Sequence, residues 1–530
     1  MRRTIGFVAL SIVLNFLLIQ GSLQAQNSAT SGGGFSITTL ASRGQPSPDG
    51  GQFSFSKDRD GQLTHFSLNK RGEVSLEAPT SGPCGRGVFV ISPVDPKLIA
   101  TTCTPTALGL FSSVQPGNLN DVGGVVFRAV DSATGAGGFI LYKNGELSKI
   151  VYGGDPTPVG TIFRGCGFSE PTINNKGEIA FGSCSDDGQG NFVDGVWGFS
   201  NGQLHPILLT GAPSPIGGVL ALGFQPSVTA VINERSEVLF EAGVLFDIFT
   251  KEKFGLFVTG QDGVKKVVVD GDPLPNDSIV RPGALGIGDL NDLGQVAFTV
   301  DVQGPADTGI FLWTDGQISK IIAQGDASPI GGTFLTLGDP DLIELLEFIR
   351  PRLNNNGAVL FEAKVKTSDG KRTALFLAST KAILKVAALG DEIAPGVVMK
   401  GLGRFSLNDL GQVAFLPYGD KRFREPLGLY LASPRTPEIK SVKLKRKKGG
   451  LELRVNGSAM ITNDTIIEIN GTPITDLSYP EDFRESGGTI TRVTSRDARL
   501  EQLIPEGQSV QVTVFNSLTN LRSAARTLSR

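Results

Sequence analysis

Among the side chains of this 530-residue sequence that could bind a cation or move a proton, several aspartates stand in repeated places. Aspartates occupy Gly-Asp-x-x-Pro-type segments at Asp155, Asp272, Asp326 and Asp391, and others follow a recurring asparagine at Asp121, Asp292 and Asp409. A further group, Asp339, Asp341, Glu344, Glu347 and Arg350, falls in a longer insertion. Carboxylates so placed could ligate calcium or, as a pair, carry general acid and base chemistry on a glycoside. Imidazole chemistry is disfavoured, because His65 and His205 are the two histidines: a His-rich metal centre or a Ser-His-Asp relay lacks its parts.

The elements that must position these groups announce themselves as a repeat. The nine residues LNDLGQVAF occur at Leu290–Phe298 and again at Leu407–Phe415, and the pattern Leu/Ile-Asn-x-x-Gly-x-Val/Ile-x-Phe recurs from Leu68, Leu119, Ile173, Ile232 and Leu353. Its asparagines, Asn69, Asn120, Asn174, Asn233, Asn291, Asn354 and Asn408, are 51 to 63 residues apart, the period of an array rather than of a catalytic motif. Asparagine can accept a backbone N–H two residues on, and the glycine can take positive φ before a strand whose Val and Phe alternate onto a buried face. The residue after the asparagine is Asp in three copies but Asn, Lys or Glu in the others, so a shared ligand role there is disfavoured. The same turn-forming reading covers Asp155, Asp272, Asp326 and Asp391.

After each Phe strand come two more apolar runs, such as GIFLW from Gly309 and ISKII from Ile318, so every unit offers four short strands split by Gly, Asn, Asp and Pro. Only DPDLIELLEFIRPR, before Asn354, suggests a short helix. Four-stranded units of this length predict an all-β fold, a seven-bladed β-propeller over residues 35–433. The segment FSITTLASRGQPSPDGG, from Phe35, aligns with the fourth strand of a unit, and the last unit lacks its fourth strand before Pro434. The N-terminal strand is therefore expected to close the ring.

Four cysteines allow three pairings. Cys84 and Cys103 are placed symmetrically about one turn and Cys166 and Cys184 about another, so hairpin geometry selects Cys84–Cys103 and Cys166–Cys184. The N-terminus carries Arg2 and Arg3, then a mostly apolar run from Ile5 to Ile19, then small residues with Ala25 before a cleavage point. Residues 1–25 read as a secretory signal peptide, which agrees with disulfides in an oxidising compartment and a secreted or cell-surface location. No later segment is apolar enough to span a membrane, no motif calls for a cofactor or metal, and the net charge of −3 gives no pull toward nucleic acid.

From Pro437 the composition changes. Short alternating strands over residues 437–530 predict a β-sandwich of immunoglobulin-like type, with a basic hairpin tip at Lys443, Lys445, Arg446, Lys447 and Lys448. That tip is read first as a solvated turn and second as a contact for an anionic polymer.

The Asn-x-x-Gly-x-x-Phe units, several ending Ala-Phe, resemble the NxxGxxAF tandem-repeat proteins that environmental bacteria export with varied anchors. The tail, with IEINGTPI and IPEGQSVQVTVFNS, resembles IPT/TIG-type domains of bacterial surface proteins. Ser236 in place of the repeat glycine and Leu76 in place of the Phe depart from the pattern. The resemblance implies export and carries no catalytic residue set. The expectation is a non-catalytic scaffold or binding protein of the bacterial surface, recognising glycan, protein or envelope material through loops that include Asp326 and the Asp339–Arg352 insertion. The alternative is a propeller-type polysaccharide hydrolase or lyase, which would need several acids or arginines converging at the channel mouth.

Overall fold

The computed structural model describes residues 34–55, 66–106, 109–222, 230–246, 252–275, 277–286, 288–304, 306–337, 350–420, 426–480 and 487–530, without the side chains of residues 116, 165–167 and 284. The expected signal peptide, His65, the expected short helix, and Asp339, Asp341, Glu344 and Glu347 lie outside them.

The repeated turn forms as its residue types require. In the fifth copy, Asn291 Oδ1 accepts the backbone N–H groups of Leu293 (3.1 Å) and Gln295 (2.9 Å), and Gly294 holds φ at +78°. The equivalent glycines of five other copies lie between +70° and +92°, a region that costs a residue with Cβ about 1–2 kcal/mol. Ser236 takes the same conformation, φ +61°, and its hydroxyl donates to Glu178 Oε2 at 2.6 Å.

Each turn opens onto a strand that is central in its own antiparallel sheet. Seven sheets each contain a four-strand path, and each path carries one copy of the repeat. In the fifth, Ser278–Leu285, Val296–Gln303, Thr308–Thr314 and Gln317–Ala323 lie in order, with Asp289–Leu290 paired beside the second strand. The last sheet is made from both ends of the repeat array. Gly401–Leu407, Val413–Tyr418 and Gly428–Pro434 are followed by Phe35–Ser42, with Phe35 opposite Pro434 and Ser36 opposite Ser433. The N-terminal strand therefore fills the edge that the repeat pattern left open. Gln45 Oε1 accepts the Ser42 N–H at 2.8 Å, the role Asp326 plays for Ala323, as the sequence alignment of the two segments implies.

The sequence reading placed Val and Phe on one buried face, and the structure bears this out while burying the opposite face as well. Val296 and Phe298 are buried on one face, and Ala297 between them is equally buried on the other. Ala297, Ile310 and Leu312 of the fifth sheet pack with Phe334, Val359 and Phe361 of the sixth. Each sheet is covered on both sides by its neighbours, so apolar residues run on without alternating. The repeat phenylalanine lies against an aromatic of the next strand: Phe298 on Phe311 at 5.9 Å, Phe361 on Phe376 at 5.8 Å, Phe415 on Tyr430 at 6.1 Å. Where Leu76 replaces it, Phe53 enters from the preceding segment and meets Phe89 edge-on at 5.2 Å.

Cys84 and Cys103 form a disulfide, with Cα atoms 5.5 Å apart. Cys184 is disulfide-bonded as well, and the side chain of Cys166, its expected partner, lies outside the described set.

Beyond Pro434 two sheets share one core. The first holds Glu438–Lys447, Gly450–Ile461, Thr489–Ser495 and Leu477–Ser478 in that order. The second centres on Thr465–Ile469 and Ser509–Asn516. Leu453, Val455 and Val493 of the first pack with Ile467, Val512 and Val514 of the second. This unit meets the repeat array through main-chain bonds: Lys385 N–H donates to Gly487 O at 2.8 Å, and Gly487 N–H to Pro329 O at 3.2 Å. Ile461 and Leu518 join the core of the sixth and seventh sheets. Among the described residues no helix is long and apolar enough to cross a membrane.

Candidate functional site at the axial mouth

The seven turn asparagines do more than shape their own turns. Each donates its Nδ2 amide to the main-chain carbonyl of the next repeat asparagine: Asn69 to Asn120 (3.2 Å), Asn120 to Asn174 (2.9 Å), Asn174 to Asn233 (3.0 Å) and Asn233 to Asn291 (3.0 Å). Asn291 donates to Asn354 (3.0 Å), Asn354 to Asn408 (3.2 Å) and Asn408 back to Asn69 (2.8 Å). The circuit is closed, and all seven side chains are buried. A short primary amide presents its acceptor to its own turn and, from a separate atom, its donor to the next, which accounts for asparagine in all seven copies.

A second circuit runs one residue further along, through the position whose letters vary. The backbone N–H of Lys70 donates to Asp121 Oδ1, Asp121 to Asn175, Asn175 to Glu234, Glu234 to Asp292, Asp292 to Asn355 and Asn355 to Asp409, at 2.7 to 3.0 Å. Asp, Asn and Glu share what this requires, a carboxyl or amide oxygen on a short stem. The variability that argued against a role in the sequence is interchangeability for one role. Lys70 has no acceptor, and at its place an ion pair substitutes: its ammonium lies 2.9 Å from Asp409 Oδ2 and 3.4 Å from Asp121 Oδ2.

These side chains converge on a polar mouth. Lys70, Asp121, Asn175, Glu234, Asp292, Asn355 and Asp409 border an open cavity of about 170 Å³, with five of the repeat asparagines and Leu/Ile residues such as Leu68, Leu119 and Leu353 lining it. Four acids against one lysine give the mouth a net charge of −3. Burial pulls the Lys70 ammonium down, but the hydrogen bond to Asp409 and the fields of Asp409, Asp121 and Asp292 outweigh it and leave its pKa raised to about 12. Burial raises the Glu234 carboxyl, the Asn175 N–H opposes that, and the Asp292 and Asp121 charges add to the rise. Among the described residues, no three His, Cys, Asp or Glu side chains are grouped to hold a metal ion.

The loop aspartates behave differently. Asp326 accepts Ala323 N–H at 2.8 Å and both its oxygens lie 3.0 Å from Lys320 Nζ. Asp155, Asp272 and Asp391 repeat this with Lys149, Lys266 and Lys385. They pin one turn to its strand, as the turn-forming reading expects, and Asp326 is not among the residues lining the mouth. Arg350 lies apart from it as well: its guanidinium is nearly buried, 2.6 Å from Asp289 Oδ1, and burial lowers its pKa against the pull of Asp289. Sequence reasoning found the repeat but missed the mouth, whose signal was an oxygen-bearing side chain after six of the seven asparagines.

No curated protein matches the sequence. Solved structures with some likeness include a polysaccharide lyase, Uly1, at TM-score 0.37 and 9% identity, covering 78% of this chain and 99% of that one. Others are an acylaminoacyl peptidase of Pyrococcus horikoshii (TM-score 0.27, 12% identity, 65% and 58% covered) and the Hadza microbial sialidase Hz136 (0.29, 9%, 68% and 73%). Superpositions of this quality assign neither fold nor activity. The profile of a family of unknown function, DUF7453, matches residues 11–212 and 189–425, and the chain belongs to that family.

Proposed function

We propose that this chain is an exported, carbohydrate-directed protein of the bacterial surface. In this reading residues 1–25 are a cleaved signal peptide, and the seven sheets of residues 35–433 are blades of a β-propeller built from NxxGxxAF-type repeats. Residues 437–530 are an immunoglobulin-like sandwich of IPT/TIG type. The closed asparagine circuit and the shared last sheet support the propeller, and two sheets around one core support the sandwich.

The observation that carries the functional reading is the mouth. Carboxylate and amide oxygens, amide N–H groups and one ammonium converge there around an open cavity, an array suited to accept from and donate to the hydroxyls of a sugar. Recognition is the first mode. Most of these side chains are already fixed by their neighbours, so a ligand meets a surface that has little entropy left to lose.

Cleavage, by a hydrolase or lyase, is the second mode, and Glu234 favours it. Its carboxyl pKa is raised, as a general acid requires, and among the described residues its Oε2 has no hydrogen-bond partner while Oε1 is held by Asn175.

Screening the purified full chain against immobilised polysaccharides, with product analysis of each mixture, tests both modes. Recognition predicts retention that Glu234→Gln weakens, without products. Cleavage predicts new reducing or unsaturated ends that Glu234→Gln abolishes. Absence of binding and products across neutral and acidic polysaccharides would overturn the reading.

A further inference from the structure

The first sheet of the C-terminal unit presents a charge pattern that the mouth does not use. In an antiparallel sheet, directly paired residues share a face. Lys443 pairs with Arg454, Lys445 with Glu452, and Asn456 with Arg492. Val442, Val455 and Val493 form the opposite row and face the core. Lys443, Lys445, Lys447, Arg454, Arg492 and Arg496 therefore lie on one outward face, which among the described residues also carries Glu452 and, at its end, Glu438 opposite Ser458. Glu452 is saturated by Arg496 at 2.8 Å and Arg454 at 3.3 Å. Lys443, Lys445, Lys447 and Arg492 are exposed and, among the described residues, have no carboxylate within ion-pair distance. Residues 438–530 hold fourteen Lys/Arg against eleven Asp/Glu, a net +3 in a chain of net −3.

We infer that this face docks an acidic polysaccharide whose charge is carried by carboxylates. Cations spaced about 7 Å along a strand and about 5 Å between strands match a chain with a charge on every unit. Arginine adds a planar fork for carboxylates. Among the described residues the face carries Ser441, Asn456 and Thr494 between the cations and no aromatic ring, which favours an acidic polysaccharide over a stacking single-strand nucleic-acid site or an apolar membrane wedge. The inference does not rest on the function assigned to the mouth.

Affinity electrophoresis of the full chain through gels containing polygalacturonate tests it, with neutral dextran as the blank. The expected result is retardation in polygalacturonate alone, falling as salt rises. Lys443→Ser/Lys445→Ser/Arg492→Ser should weaken it by roughly tenfold or more at low salt with an unchanged melting curve, since among the described residues these side chains form no ion pair. No retardation, retardation that survives the triple substitution, or tighter binding to a DNA duplex or to phosphatidylglycerol vesicles would each overturn the inference.

Discussion

The side-chain amide of Asn408 donates to the main-chain carbonyl of Asn69 at 2.8 Å, joining residues 339 positions apart. Six bonds of the same kind link successive repeats, and this seventh turns a row of turns into a circuit. Every asparagine is then under the same double demand, and its replacement has a calculable cost.

Asn291→Asp keeps the acceptor for Leu293 and Gln295 but loses the donor to Asn354, and it sets a carboxylate against that carbonyl. A destabilisation of about 2–3 kcal/mol is expected at pH 7 from urea unfolding. Protonation restores the donor, so the introduced carboxyl has its folded pKa raised above the unfolded value. The penalty should be small below that unfolded value and grow as pH rises through the folded one. A penalty equal at pH 4 and pH 7 would contradict the assignment.

Ser236→Gly removes the Cβ from the one repeat-glycine position that carries a side chain at positive φ. Relief of about 1–2 kcal/mol should exceed the exposed part of the lost Glu178 hydrogen bond, leaving a gain of about 0.5–1 kcal/mol. Ser236→Ala keeps the strain, loses the bond and should melt earlier than wild type.

Lys70 has a folded pKa raised to about 12, so its ion pairs add stability below its unfolded value near 10.5, and that stability is lost as pH rises toward 12. Lys70→Gln should lower the urea midpoint at pH 9 and converge on wild type near pH 12. Because the ammonium is partly exposed, the difference is expected to stay below about 1 kcal/mol and to shrink in high salt.

Asp326→Ala removes the acceptor for Ala323 and the partner of Lys320. Thermal unfolding should shift down by the equivalent of about 1–2 kcal/mol, while binding of any polysaccharide retained by wild type stays unchanged. Loss of binding with unaltered stability would return Asp326 to the ligand role.

Much of the fold was legible because each unit solves one local problem with the same residues. The asparagine-to-glycine turn, the strand order and the strand donated by Phe35–Ser42 all follow from short-range chemistry repeated seven times. Burial on both faces was not, because it depends on neighbouring sheets covering residues such as Ala297, which a single strand's alternation cannot reveal. The mouth was hidden for a related reason. Asp121, Asn175 and Glu234 look dissimilar as letters and become equivalent only when adjacent turns bring an N–H to each oxygen. The loop acids stand out more in the sequence, yet Asp326 holds its own strand through Ala323 and Lys320.

Everything assigned to the mouth requires the circuit to be closed, and closure is read most directly by a cross-link. Ser36 and Ser433 are paired across the last sheet. In the Ser36→Cys/Ser433→Cys chain, non-reducing peptide mapping after mild oxidation is expected to find these two cysteines joined within one molecule, with the native Cys84–Cys103 bond intact. Recovery of both as free thiols, or joined only between molecules, would contradict the closed ring and the mouth with it.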